Sequence, residues 1–336
     1  MRALYYPLFT CLLLSSLLLK AQNDWENTAV FRIGTEPVHA TFTPCATESE
    51  ALAAWPVSSG RVLSLNGDWQ FRFLTHPSQV PEGFYETDYP DEDWAFIPVP
   101  SCWHRQGYGI PMYRNIIMPF PAKPPLIATD TNETGLYRHR FSLPAQWADN
   151  EVFMRFEGVE SAFYLWVNGR KVGYHEDSFT PAEFRITSFL SPGENTLTVE
   201  VIRWSDGSYL EDQDYWRLGG IFRNVSLVAR PQAYIRDVEV LTQPDSLYRD
   251  ANVSTRVWIR NEGEANDSIA LKIKILSPSG EWLAEHRRTL RLPPKGQDQE
   301  LHIDTLLQQV ALWSSETPNL YRLCLSLEKD GQTLEA

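Results

Sequence analysis

From residue 61 onward the chain is a succession of short runs in which apolar and polar residues alternate, punctuated by Asn, Gly and Pro. That punctuation constrains what it can fold into. "RVLSLNGDWQFRF", "LYRHRFSLP", "EVFMRFEGVE", "AFYLWVNGRKVGY", "EFRITSFL" and "NTLTVEVIRW" follow one another with short polar breaks, each close to the two-residue period of a half-buried strand. The sharpest signal lies between Leu165 and Val172, where Asn168-Gly169 separates two apolar runs. A two-residue hairpin turn needs positive φ at both central positions, and Asn and Gly tolerate it. Asn66-Gly67 reads as another turn. No long amphipathic helical stretch interrupts the strands, so the sequence predicts an all-β fold that opens with a jelly-roll β-sandwich over residues 61–230.

Pro231, after "NVSLVAR", marks a boundary. Beyond it "YIRDVEVLTQ", "ANVSTRVWIRNEG", "DSIALKIKILSPSG", "LAEHRRTLRLPP" and "YRLCLSLEKDG" give a second set of strands over residues 231–336, the size of an immunoglobulin-like β-sandwich. Within it Ile269, Leu271, Ile273 and Ile275 alternate onto one face. The Cys-Trp-Cys pattern of antibody domains is missing. The last residues, "DGQTLEA", read as the start of a further hairpin strand, as expected of an incomplete sandwich.

A net charge of -13 with no long Lys/Arg cluster excludes nucleic acid and anionic lipid as natural partners. Twelve Trp, fourteen Tyr and sixteen Phe suit sheet packing, and they also suit sugar recognition, in which apolar ring faces stack on aromatic ones. Residues 1–21 read as a signal peptide: Arg2, an apolar run over 8–19, and Ala21 as the small residue for cleavage. The run is too short to span a membrane comfortably, so the expectation is an exported chain, periplasmic or secreted, with no membrane span after signal removal. Cys45, Cys102 and Cys324 then remain, too widely spaced for a disulfide framework or a metal motif. Residues 22–60 form a leading segment ahead of the first sandwich.

Two stretches carry the chemistry. "PSCWHRQGYGIPMYRNIIMPFPAKPPLI", residues 100–127, holds six prolines and several rings, and reads as an ordered loop rather than a central strand. "WSDGSYLEDQDYWRLGGIFRNV", residues 204–225, sets Asp206, Glu211, Asp212 and Asp214 among Trp and Tyr rings. A solvated acidic loop has no need of the rings and a core would not tolerate the acids, so the mixture points to a polar site walled by aromatics. On the residues alone, Asn115 could be a turn residue, and Asp214 could pair with Arg217 or Arg223. His104 and His175 read as hydrogen-bonded structural histidines.

In order along the chain, "RVLSLNGDWQFRF", "VPSCWHRQGYGIPMYRN", "ETGLYRHRF", "FEGVESAFYLWVNGRKVGYHEDSFTPAEFRIT" and "VIRWSDGSYLEDQDYWRLGGIFRNVSL" resemble the N-terminal sugar-binding domain of family 2 glycoside hydrolases. Within that family the resemblance is to the long-form β-galactosidases: "DWENTAVFRIGTEPVHATF", 24–42, is similar to their leading segment, and "LWSSETPNLYRL", 312–323, to the end of their immunoglobulin-like second domain. The resemblance implies a retaining enzyme whose two catalytic Glu residues lie in a (β/α)₈ barrel following the second sandwich, so no residue of this chain is expected to be catalytic and the chain alone is expected to be inactive.

It further implies that Asn115, in "YRN", and Asp214, in "LEDQDYW", approach the terminal galactose of a β-galactoside substrate, with Asp214 also holding Na+ or K+. A carboxylate can accept from two sugar hydroxyls and coordinate a hard cation at once. Asp24, Asn27, Glu176 and Asp206 match positions that gather around a divalent cation, Mg2+, although Glu176 stands where an amide is expected. No organic cofactor is implied; a homo-oligomer of the full-length enzyme is. The alternatives are another family 2 activity, β-glucuronidase or β-mannosidase, and a non-catalytic carbohydrate-binding module.

Overall fold

The computed structural model describes residues 23–53, 59–114, 117–211, 214–264 and 267–336. The expected signal peptide lies outside the described residues. The chain forms two β-sandwiches in succession, and among the described residues helix is confined to single short turns.

The first sandwich packs a seven-stranded antiparallel sheet on a four-stranded one. Across the larger sheet the order is Arg32–Ile33, Arg170–Glu176, Ala162–Val167, Glu194–Ile202, Thr134–Ser142, Gly67–Leu74 and Ala95–Val99. The smaller runs Ala182–Arg185, Glu151–Phe156, Val225–Arg230 and Val62–Ser64. Their facing sides supply one core, including Trp69, Phe71, Trp103, Tyr137, Phe156, Phe163 and Phe184, all at most 1% exposed. Burying each such ring contributes roughly 2–3 kcal/mol, which is why so aromatic a chain can build so large a sandwich.

The Asn168-Gly169 hairpin is present as expected. Asn168 (φ 51) and Gly169 (φ 74) form the turn, and Val167 pairs with Arg170 across it. Asn66-Gly67 is different. Val62–Ser64 and Gly67–Leu74 belong to opposite sheets, so the pair marks a crossover and not a hairpin. Asn66 secures that crossover by accepting from the Val225 backbone N at 3.0 Å and donating to Asn224 at 2.9 Å.

The second sandwich has a three-stranded sheet, Ala233–Pro244, Ala251–Asn261 and Gln297–Leu307, facing a four-stranded one in the order Trp282–Arg291, Ser268–Leu276, Arg322–Lys329 and Gln332–Glu335. Ile269, Leu271, Ile273 and Ile275 are all buried, as their alternation predicts. The two sandwiches meet at a buried ion pair: Arg230 donates through Nε and Nη2 to both Glu335 oxygens, at 2.7 and 2.8 Å.

The leading segment crosses both sandwiches. The Glu36 N–H bonds the Glu183 carbonyl, Arg236 bonds the Pro37 carbonyl, the Ala40 N–H bonds Asp237, Cys45 and Ala336 exchange backbone bonds, and Glu48 pairs with Lys272 and Lys274. Cys45 and Cys324 are buried free thiols and Cys102 is partly buried, also free.

Candidate functional site

A two-stranded ribbon extends the 100–127 stretch: Met112–Arg114 pairs antiparallel with Tyr215–Arg217. The Pro-rich segment therefore yields one short edge strand, which its prolines flank without interrupting. Asp214 sits at the start of the second strand and accepts the Tyr113 hydroxyl. That bond raises the Tyr113 pKa above the usual phenol range. Tyr113 and Trp216 are cross-strand neighbours with ring centroids 5.7 Å apart, and both are more than half exposed. Ile110, Ile117 and Leu210 are exposed as well. The ribbon thus presents a solvent-facing carboxylate beside a pair of exposed aromatic rings, an arrangement able to hold sugar hydroxyls on the acid and sugar ring faces on the aromatics. Asn115 lies outside the described residues, as do Asp212 and Gln213.

Beneath the ribbon lies a buried polar layer. Arg203, at the end of the Glu194–Ile202 strand, donates from Nη1 to Glu133 at 2.8 Å and from Nη2 to the carbonyls of Arg217 at 2.9 Å and Ile110 at 3.2 Å. Glu133 also accepts His104 Nε2 at 2.7 Å, while His104 Nδ1 accepts the Gly219 N–H at 3.2 Å. Burial pushes the His104 pKa down despite the pull of Glu133, consistent with a neutral ring that donates at one nitrogen and accepts at the other. Burial pushes the Glu133 carboxyl up, but the His104 bond and the Arg203 charge outweigh it and hold it below the usual range.

Gly219 serves packing more than turning, since a Cβ there would stand 2.3 Å from the Trp103 ring. Gly220 (φ 132) is the conformationally demanding member of the pair. Arg217 faces the charges of Glu160 and Glu211. Glu160 is pushed up to about 8 by its burial, with Glu211 adding to the effect. Glu211 accepts from both the backbone N and the hydroxyl of Ser178, at 2.6 and 2.8 Å, so it ties the acidic loop to the neighbouring turn.

The other expected constellation surrounds two tyrosines whose rings meet at a tilt. Tyr164 and Tyr174 have centroids 4.7 Å apart; Tyr164 donates to Asp24 at 3.0 Å and Tyr174 to Glu176. Trp25, Tyr174, Ile202 and Trp204 share a buried apolar cluster that seats the Asp24–Glu26 turn, and Glu26 accepts the Ile127 N–H at 2.9 Å. Glu176 is pushed up to about 8, chiefly by burial and further by Asp206. Asp206 is raised as well, again by burial first.

The Asp206 Oδ1 atom is buried without a hydrogen-bond partner. Two desolvated carboxyls side by side, one with an orphaned oxygen, offer the hard donor set that suits Mg2+. Asn27 Oδ1 accepts the Ala29 N–H at 3.2 Å within its own turn. Among the described residues no three His, Cys, Asp or Glu side chains converge as metal ligands.

Sequence reasoning did not single out Tyr113, Arg203 or Glu133. A charged residue directly after the buried Val199–Ile202 run was the available signal for Arg203.

The glycosyl hydrolases family 2 sugar binding domain matches residues 62–231, and the glycosyl hydrolases family 2 model that follows it matches 233–336. The chain belongs to glycosyl hydrolase family 2. It is 40% identical over 311 residues to a β-galactosidase of Priestia megaterium and 38% identical over 325 residues to a β-galactosidase of Pectobacterium atrosepticum, covering 91% and 94% of this chain. It spans 30% of the length of each of these curated relatives. Its fold is similar to that of a Bacteroides uniformis β-glucuronidase, with a TM-score of 0.69 at 24% identity over 82% of this chain and 31% of that one.

Proposed function

We propose that this chain is the N-terminal portion of an exported, retaining β-galactosidase, and that its ribbon contributes Asn115 and Asp214 to the site that holds a terminal, non-reducing β-D-galactose. The observation that carries this reading is the solvent-facing Asp214, bonded to the Tyr113 hydroxyl beside the exposed Tyr113 and Trp216 rings, in a chain of this family about two-fifths identical to named β-galactosidases. In this reading the reacting carboxyls lie in the remainder of the enzyme, and a retaining pair would stand about 5–5.5 Å apart there. The part played by this chain is to orient the sugar and wall off water. Asp214 would also hold Na+ or K+, and Glu176 and Asp206, with Asp24 and Asn27 nearby, would hold Mg2+ between the leading segment and the sandwich. The divalent ion would compensate the charge of the buried Glu176 and Asp206.

The complete enzyme is expected to release galactose from a chromogenic β-galactoside with the β-anomer formed first, as NMR would follow, and to turn over the matching glucuronide and mannoside far more slowly. The 336-residue chain alone is expected to release nothing above background. Turnover by that chain alone, or a preference for the glucuronide, would refute the reading.

A further inference from the structure

The ribbon carrying Tyr113, Asp214 and Trp216 has three residues in each strand, and a two-stranded ribbon of that size does not hold itself in place. Its position must be set where it joins the sandwich. There a single guanidinium reaches both strands: Arg203 Nη2 donates to the carbonyl of Ile110, two residues before the first strand, and to that of Arg217, the last residue of the second. Arg203 is itself held twice by Glu133, through Nη1 to the carboxylate and through its backbone N–H to the Glu133 carbonyl at 3.0 Å. Glu133 is fixed in turn by His104, whose other nitrogen accepts from Gly219, two residues beyond Arg217. The guanidinium also lies over the Trp204 ring, 4.9 Å from its centroid. A planar fork can satisfy two carbonyls and a carboxylate from fixed directions; an ammonium cannot.

We infer that Arg203 is a positioning residue, a clasp whose two carbonyl bonds set where the ribbon, and so Asp214, stands on the first sandwich. The consequence for catalysis rests on the reading of Asp214 as a substrate-binding residue; the clasp itself rests on geometry alone. Hydrogen–deuterium exchange of the 336-residue chain separates the two. Arg203→Lys is expected to speed exchange in residues 110–114 and 214–218 roughly ten- to hundredfold, and Glu133→Gln to speed it less, with Glu151–Phe156 and Val225–Arg230 unchanged. Unchanged exchange in the ribbon, or an equal rise across the whole sandwich, overturns the clasp. If Arg203→Lys does not fold, Glu133→Gln decides by the same criterion.

In the complete enzyme Arg203→Lys is expected to lower kcat/KM for a β-galactoside, and to cost little more once Asp214→Ala is present, because both changes disable one element. Full additivity of the two overturns the link to Asp214. A wild-type enzyme without galactosidase activity refutes the functional reading, and the exchange result still decides the clasp.

Discussion

Replacing Glu335 by Ala should cost more stability than any surface change of comparable size. Glu335 lies in the last strand of the second sandwich and is 1% exposed; Arg230 ends a strand of the first and is 3% exposed. The carboxylate takes Arg230 Nε and Nη2 and also accepts the Ile235 N–H at 3.1 Å. The substitution therefore strands a buried guanidinium and a buried amide together, leaving against the charge the Tyr234 and Phe42 rings, at 4.7 and 5.2 Å, the Ile235 carbonyl and the field of the Glu183 carboxylate, none of which replaces the bidentate pair. Breaking a buried pair from one side costs about 3–5 kcal/mol. With a urea slope of about 3 kcal/mol/M, the unfolding midpoint should fall by roughly 1–1.7 M, and tryptophan fluorescence with circular dichroism would follow it. The double change Arg230→Met with Glu335→Leu should recover most of that loss, because a well-packed apolar pair often matches a buried ion pair. A midpoint shift for Glu335→Ala below about 0.3 M would refute the account of this junction.

Other expectations follow from the buried acids. Glu160 has its pKa raised to about 8 in the folded chain, so the folded state binds its proton more tightly than the unfolded state, and its contribution to stability is lost as pH rises from about 4.5 through 8. Glu160→Gln should flatten the fall of stability across that window, by at most about 1.4 kcal/mol per pH unit, and an unchanged slope in urea titrations at several pH values would contradict this. If Glu176 and Asp206 hold Mg2+, added MgCl2 should raise the thermal midpoint of the wild-type chain and leave Asp206→Asn unmoved; an equal response in both would contradict the site.

Much of the architecture could be read where the physics is local. Asn168-Gly169 dictates its own turn, and the alternation of Ile269, Leu271, Ile273 and Ile275 dictates the buried face of its strand. Asn66-Gly67 misleads because alternation on either side of a turn reads alike for a hairpin and for a crossover between sheets; what separates them is the pairing of Val62–Ser64 with Val225–Arg230, over 160 residues away. The strap from Glu36 to Leu52 was equally illegible, since its partners are backbone groups and charges of distant strands. At the candidate site the acid-and-ring composition pointed to the ribbon. The partner of Asp214 is the Tyr113 hydroxyl, where the sequence offered Arg217 and Arg223 as the obvious candidates. Arg203 leaves no side-chain motif in the sequence at the ribbon, because its acceptors there are main-chain carbonyls.

The most direct test of the central claim is the kcat/KM of the complete enzyme for a β-galactoside with Asp214 replaced by Ala, measured with and without Na+. Loss of a charged hydrogen-bonding partner to the sugar predicts a fall of roughly ten- to hundredfold together with weakened dependence on Na+, in an enzyme that remains folded. Wild-type kcat/KM and an unchanged response to Na+ in Asp214→Ala would contradict the assignment of this ribbon to the sugar site.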